Sequence, residues 1–125
     1  MTPARFRDVF DRRVKDCEET LVKKADEYAR GGDVLHNFKR AAGAIGKTPE
    51  LALTGMWIKQ VISLIDLAHD IDQSGCAAYS VWDEKIRDVI NYAILLDALV
   101  MERLHAEQGK NWMTPEFLRA MDGRR

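Results

Sequence analysis

Proline, glycine and cysteine, the residues that interrupt helices or cross-link chains, are scarce in this sequence. Among 125 residues there are three prolines, eight glycines and two cysteines. Each proline follows a threonine, at positions 3, 49 and 115, and a Thr-Pro pair is typical of the N-cap and first residue of a helix. The glycines cluster between segments of helical periodicity. This scarcity and placement favour an all-α chain over a sheet.

An excess of one charge and a long apolar run are also missing. The formal net charge is -1, and Lys and Arg alternate with acids, so we expect no direct binding of duplex DNA. No window contains the roughly 18 uninterrupted apolar residues of a membrane span, and Arg5, Arg7 and Asp8 interrupt any signal peptide. Cys17 and Cys76 lack the spacing of metal ligands. These absences predict no membrane contact, reduced thiols and a cytoplasmic location.

Apolar periodicity divides the chain into helical segments. We predict one domain, residues 1–125, folded as a four- to five-helix bundle. It has a long N-terminal helix, and its two central long helices form an antiparallel hairpin. The predicted helices are 3–30, 34–45, 49–72, 81–107 and a short 115–122.

The first predicted helix is longer than the core of such a small domain needs. At 1.5 Å per residue it would extend for about 40 Å. Its apolar residues, which include Phe6, Phe10 and Val14, form a narrow stripe. A stripe that projects beyond its own core usually contacts another subunit. We therefore predict a homo-oligomer built partly through residues 3–20.

Acids concentrate in the predicted hairpin. Asp66 and Asp70 share one face of its first helix, and Glu84 and Asp88 share one face of its second. Equal distances from the connecting loop place Asp70 beside Glu84 and Asp66 beside Asp88. Four converging carboxylates repel one another unless a cation neutralises them, and Mg2+ is the simplest such cation. The spacing predicts that all four residues ligate Mg2+.

The same acids also fit a purely structural interpretation. Acids near helix starts favour the helix dipole, and many simply face water. Lys85 and Arg87 can pair with acids on neighbouring turns. Asn91 differs from these acids because it interrupts an apolar run, where a polar group costs stability unless it is paired. We therefore expect Asn91 to have a specific partner.

Further polar residues near the first helix junction and the hairpin suit a polar ligand. Cationic side chains could neutralise phosphate, and amide, imidazole and phenol groups could hold a base or sugar. A histidine next to an asparagine in a first helical turn is also a common satisfied cap. The predicted ligand-binding residues are Tyr28, Arg30, His36, Asn37, Lys39, Lys59, Asn91 and Tyr92.

Three blocks of sequence resemble a known family. They are YARGGDVLHNF at 28–38, GMWIK at 55–59 and DEKIRDVINY at 83–92. They look like the small helical phage and prophage proteins of the nucleotide-modification-associated domain family, over roughly residues 20–105. The resemblance implies a nucleotide-binding, phage-type protein in the cytoplasm of an infected or lysogenic bacterial cell.

The acidic helix pair is also similar to that of the MazG-like all-α nucleoside triphosphate pyrophosphohydrolases, in which carboxylates on adjacent helices hold magnesium. The spacing departs from that superfamily, because Glu84 and Asp88 are four residues apart and not three. Gln60 also stands where the relatives have histidine. These departures weaken the case for hydrolysis more than the case for nucleotide binding.

Three functions remain open from the sequence. The first is Mg2+-dependent cleavage of a nucleotide between its α- and β-phosphates. The second is a non-catalytic sponge that sequesters a nucleotide, such as a host immune signalling molecule. The third is a helical oligomeric adaptor whose acids are solvated. The first two predict a pocket that holds a nucleotide or a nucleotide-derived small molecule, whereas the adaptor needs none.

Overall fold

The computed structural model describes residues 1–29, 31–108 and 114–123. Within these ranges the chain is a bundle of five helices without a β-strand, so the all-α prediction is confirmed. Each helix begins and ends within two residues of its predicted bounds. The helices are α1 Pro3–Tyr28, α2 His36–Ile45, α3 Pro49–Ser74, α4 Tyr79–Gln108 and α5 Pro115–Asp122.

Local sequence chemistry explains where α1 and α3 begin. Thr2 Oγ1 accepts a hydrogen bond from the backbone N–H of Arg5 at 3.3 Å, and Thr48 Oγ1 accepts one from Leu51 at 3.3 Å. Each threonine is followed by a proline in the first turn. Proline lacks a donor where the helix has no acceptor for it, so the Thr-Pro pair satisfies both needs of a helix start.

Helix α2 begins two residues later than predicted. The side chain of Asp33 accepts a hydrogen bond from the N–H of Leu35 at 2.9 Å, two residues on. This turn of the Asx type uses Asp33 to close a loop, so Asp33 does not cap α2. Leu35 occupies the N-cap position without a side-chain cap. At the other end, Gly46 takes the left-handed conformation, with φ of 65°, that terminates a helix.

The core lies between α2 and the α3–α4 hairpin. Leu35, Leu53 and Leu99 are buried there, and Trp57 packs against them. The indole Nε1 of Trp57 donates to the backbone oxygen of Val89 at 3.0 Å, which joins the two hairpin helices. Trp57 therefore belongs to the packing of the core.

An ion pair fixes the register of the hairpin. The guanidinium group of Arg103 binds both carboxylate oxygens of Glu50, at 2.7 and 2.8 Å. The predicted pairing of Asp70 with Glu84 places Glu50 opposite residue 104, so the observed contact with Arg103 differs from the prediction by one residue. The guanidinium also holds the pKa of Glu50 below its usual range. The antiparallel hairpin therefore forms as predicted. Where an acid of the hairpin does not meet the partner predicted for it, the cause is the direction of its side chain and not the register of the two helices.

Helix α1 is held to the first turns of α4 by a cluster of charges. Arg13 binds Asp83 at 2.5 Å and Asp16 at 3.1 Å. Arg87 completes the cluster with Asp16 at 3.4 Å and with Asp83, four residues earlier, at 3.7 Å. Because the pairs advance together along both helices, α1 and α4 run in the same direction. Cys17 is buried next to the cluster, and burial raises the pKa of its thiol.

Much apolar surface stays uncovered outside this core. Residues 1–12 are all exposed, and Phe6 and Phe10 of α1 are 63% and 50% exposed. Helix α3 is long and apolar enough to cross a membrane, and only 11% of the relevant window is buried. That finding rests on length and composition alone, properties that core helices of soluble proteins share. The sequence criterion missed α3 because Lys59 and Asp66 interrupt the run without making it polar on average.

Candidate functional site

A pocket of about 410 Å³ lies between α1, α2, α3 and α4. Small-molecule sites typically occupy about 300–1,000 Å³. Part of its wall is apolar and comprises Leu21, Ala25, Val34, Phe38, Met56 and Leu95. The polar part comprises Lys24, Asn37, Asp88, Asn91 and Tyr92. A largely apolar wall with a few polar groups of different kinds is the composition of a specific ligand site.

Asn91 is the most unusual residue of this pocket. It is the one buried polar residue in the described ranges, at 6% exposure. Its Oδ1 atom is fully buried and has no hydrogen-bond partner among the described residues. A buried acceptor without a donor costs about 1–3 kcal/mol. The sequence predicts a specific partner for Asn91, and the described part of the chain does not supply one to Oδ1.

Two aromatic rings stand beside Asn91. Phe38 and Tyr92 meet edge to face, with ring centroids 6.5 Å apart and an interplanar angle of 74°. This arrangement is favourable for aromatic pairs, so it fixes both rings in the wall. Phe38 also packs against the buried core, which anchors the pair. The pocket therefore has a rigid aromatic side next to an unsatisfied amide.

Two groups of opposite charge complete the polar wall. Asp88 is half-buried on α4, and Lys24 is exposed on α1. Lys24 is absent from the residues predicted from sequence. It follows Cys17 by seven and Leu21 by three, which places it on the inward stripe of α1. That spacing was the available signal, because a lysine on an otherwise apolar stripe has to reach a polar partner or solvent.

The four predicted magnesium ligands are not assembled into one group. Asp66, Asp70 and Glu84 are exposed, and Asp88 alone lines the pocket. Nowhere in residues 1–29, 31–108 and 114–123 do three or more His, Cys, Asp or Glu side chains form a group that could hold a metal ion. The expectation that these four carboxylates converge is corrected accordingly. Although the hairpin has nearly the predicted register, the side chains of Asp66, Asp70 and Glu84 are exposed and do not line the pocket with Asp88.

Lys39, a predicted phosphate ligand, is occupied by carboxylates of the chain itself. Its Nζ atom binds Asp33 at 2.7 Å and Glu102 at 2.5 Å. Burial acts to lower the pKa of Lys39, but the two hydrogen-bonded carboxylates raise it overall. The same contact lowers the pKa of Asp33. Lys39 therefore ties the turn before α2 to α4 and does not line the pocket.

The other predicted ligand-binding residues are divided between the pocket and its surroundings. Asn37 and Tyr92 line it together with Asn91. His36 is half-buried at the start of α2, and Lys59 is exposed on α3; neither belongs to the wall. Arg30 and the side chain of Tyr28 lie outside the described residues. The structure thus gathers four predicted site residues, including Asp88, and adds Lys24.

Comparison with known proteins does not assign the chain to a family. No family model matches it, and no curated protein or solved structure matches it significantly. The likeness to nucleotide-modification-associated proteins consequently rests on the three sequence blocks alone. The case for a function depends on the pocket.

Proposed function

We propose that this chain binds a nucleotide or a nucleotide-derived small molecule in the pocket between α1, α2, α3 and α4. The observation that supports the proposal is Asn91, a residue of the pocket wall whose Oδ1 atom is buried and has no hydrogen-bond partner among the described residues. Native proteins pair nearly all buried polar groups, so an unpaired one calls for an explanation, and a bound molecule that supplies the missing partner is one such explanation. The free energy lost at Asn91 in the empty chain is recovered when a ligand donates to Oδ1.

The chemistry of the wall favours a nucleotide-type molecule. The amide oxygen of Asn91 accepts from an N–H group, such as an exocyclic amine on a base. Phe38 and Tyr92 offer aromatic surface to a planar ring. The carboxylate of Asp88 can accept from sugar hydroxyls, and Lys24 can approach phosphate oxygens from the exposed side.

Binding without turnover is the form of this function that we favour. Metal-assisted phosphoryl chemistry requires several oxygen ligands around one ion. Among the four predicted ligands only Asp88 reaches the pocket, and the donor set does not fit a magnesium centre. Lys39, one of the cations predicted to neutralise phosphate, is already paired. The sponge alternative therefore agrees with the geometry better than the pyrophosphohydrolase does.

Thermal melting with ligand panels tests the proposal. Purified protein is melted with nucleosides, nucleotides and cyclic or linear dinucleotides, each with Mg2+ and with EDTA. We expect at least one compound to raise the Tm equally in both buffers and to be recovered intact after heat denaturation. A Tm rise that requires Mg2+, together with release of pyrophosphate, would favour the hydrolase. No shift with any compound would contradict nucleotide binding.

A substitution at Asn91 links any response to this pocket. Asn91→Leu keeps the branched shape and the number of heavy atoms but removes the unpartnered oxygen, so the ligand-free protein should become more stable by about 1 kcal/mol. The ligand affinity should fall at least about tenfold, the cost of one lost hydrogen bond to a buried group. Gln60→Met is the matched control, because Gln60 Oε1 is also buried and unpartnered but lies outside the pocket wall. It should stabilise the protein without changing ligand affinity.

A further inference from the structure

The outer face of α3 carries an apolar stripe that no part of the described chain covers. Leu51 is 54% exposed, and Ile58, Ile62 and Ile65 are each 50% exposed. Gly55 lies on the same line, and a Cβ atom there would meet nothing within 4 Å. The spacing of these five residues alternates between four and three. Such spacing is typical of a seam between packed helices, not of a helix that faces water.

The total accessible surface indicates how much of the chain is left uncovered. It measures 8924 Å² for a mass of 14.3 kDa. A folded monomer of this mass has about 6,800 Å² of accessible surface, so the excess is about 2,100 Å². A standard protein interface buries about 800 Å² on each partner. The excess over the whole chain, to which the α3 stripe contributes, is therefore larger than one partner's share of a standard interface.

Two charged residues form one edge of the stripe. On a helix, Lys59 and Asp66 lie about 80° and 60° from the centre of the stripe, in the same direction. Both are exposed, and the described residues include no ion pair to either of them. Their seven-residue separation is also that of Ile58 and Ile65. Along the helix, the position halfway between Ile58 and Ile65 lies just before Ile62, and the position halfway between Lys59 and Asp66 lies just after it.

We propose that α3 pairs with α3 of a second copy of this chain, antiparallel, about a two-fold axis next to Ile62. A two-fold axis brings residue i opposite residue j and residue j opposite residue i. In this arrangement Ile58 packs on Ile65 of the partner subunit. Lys59 of each copy lies opposite Asp66 of the partner subunit, which gives two ion pairs. The stripe is therefore self-complementary in both shape and charge.

The charged edge favours a second copy over a lipid bilayer. A membrane would also cover the isoleucines, and α3 is long enough to cross one. However, Lys59 and Asp66 lie near the middle of the helix, where hydrocarbon would surround both charges. A second copy instead neutralises each with an opposite charge while it covers the stripe. The inference gives Lys59 and Asp66 a structural role in place of the ligand and metal roles predicted from sequence, and it does not depend on the proposed function.

A charge exchange tests the arrangement by analytical ultracentrifugation. Lys59→Asp alone places two pairs of like charges across the axis, and Asp66→Lys does the same with the opposite sign. We expect each single variant to raise the dimer Kd about tenfold, since two surface ion pairs are replaced by repulsions. The double variant with both changes should return to within about threefold of the original Kd. Lys23→Asp, on the exposed surface of α1, is the control and should change little.

Other outcomes would overturn the proposal. A chain that sediments as a monomer at about 100 μM has no such interface. A chain that is monomeric in buffer but floats with neutral phosphatidylcholine vesicles has a lipid surface on this face. A dimer that survives Ile62→Glu with unchanged Kd pairs elsewhere. A double variant no tighter than the single ones excludes the antiparallel register. Asn91→Leu should leave the dimer Kd unchanged, which separates a failure here from a failure of nucleotide binding.

Discussion

The two faces of α3 have similar residues but different surroundings. Leu53 on the inner face has 0% exposure, whereas Leu51, two residues earlier, is 54% exposed. The inner face is covered by α2 and α4, and nothing in the described chain covers the outer one. Residue type therefore indicates which surfaces of a helix are apolar enough to require a covering partner. The packing of neighbouring helices decides which of those surfaces are covered in the folded chain.

Substitution on the inner face should have the largest effect on stability. Leu53→Ala removes a fully buried side chain and leaves a cavity, so we expect a loss of about 2–5 kcal/mol in the free energy of unfolding. Ile62→Ala on the outer face should cost far less in dilute solution, where the chain is not paired. Urea unfolding of both variants at low concentration measures the difference. Similar losses for the two would mean that the faces are not different in the folded chain.

A similar contrast can be tested on α1, where some charges form ion pairs with α4 and others form an exposed pair within α1 itself. Asp83→Ala deprives Arg13 and Arg87 of a carboxylate, and we expect a loss of about 1–2 kcal/mol because the group is partly solvated. Asp11→Ala removes the exposed pair with Arg7 and serves as the control, with an expected change near zero. Urea unfolding distinguishes them. Equal effects would show that the charge cluster does not hold α1 to α4.

Low pH should weaken the ion pairs that join the helices. Hydrogen bonds from Arg13, Arg103 and Lys39 lower the pKa values of Asp83, Glu50 and Asp33 respectively. A carboxyl whose folded pKa is depressed contributes stability above its unfolded pKa, and that contribution is lost as the pH falls through the folded pKa. Stability should therefore be level from about pH 5 to 8 and decline below about pH 4.

Glu50→Gln checks the contribution of one of these carboxyls. The variant should be less stable at pH 7 and should lose less stability between pH 5 and 3 than the original chain, since one titrating group is gone. Thermal melting across this range provides the measurement. An unchanged acid profile would mean that the contact with Arg103 does not persist in solution.

The smallest effect on folding is expected at the exposed start of α1. The sequence predicts an oligomer partly through residues 3–20, and a groove of about 640 Å³ lies along the apolar side of α1, next to Ile90 and Ile94. Phe10→Asp places a charge there without disturbing the core, because Phe10 is 50% exposed. We expect an unchanged monomer Tm and a smaller assembly by light scattering. An unchanged assembly would contradict the use of α1 as an interface.

The candidate site was only partly predictable from sequence. Asn91 could be singled out because a polar residue interrupts an apolar run, and such a signal is local. The ion pair of Lys39 with Glu102 could not be predicted, because the two residues are 63 positions apart and no pattern near Lys39 indicates such a partner. The exposure of Asp66 and Asp70 could not be predicted for a different reason. Their spacing shows that they share a face, but it does not show which way that face points.

The sequence by itself determined the helices, because helix formation depends on nearby residues. Thr-Pro starts, apolar periodicity and glycine stops act within a turn or two, and they predicted every helix to within two residues. The tertiary structure decided the rotation of each helix about its axis. Successive residues are 100° apart on a helix, so a modest rotation determines whether an acid enters a pocket or faces water. That rotation is set by packing between residues distant in the chain, and it brought Asp88 and Asn91 to the pocket while leaving Lys59 and Asp66 outside.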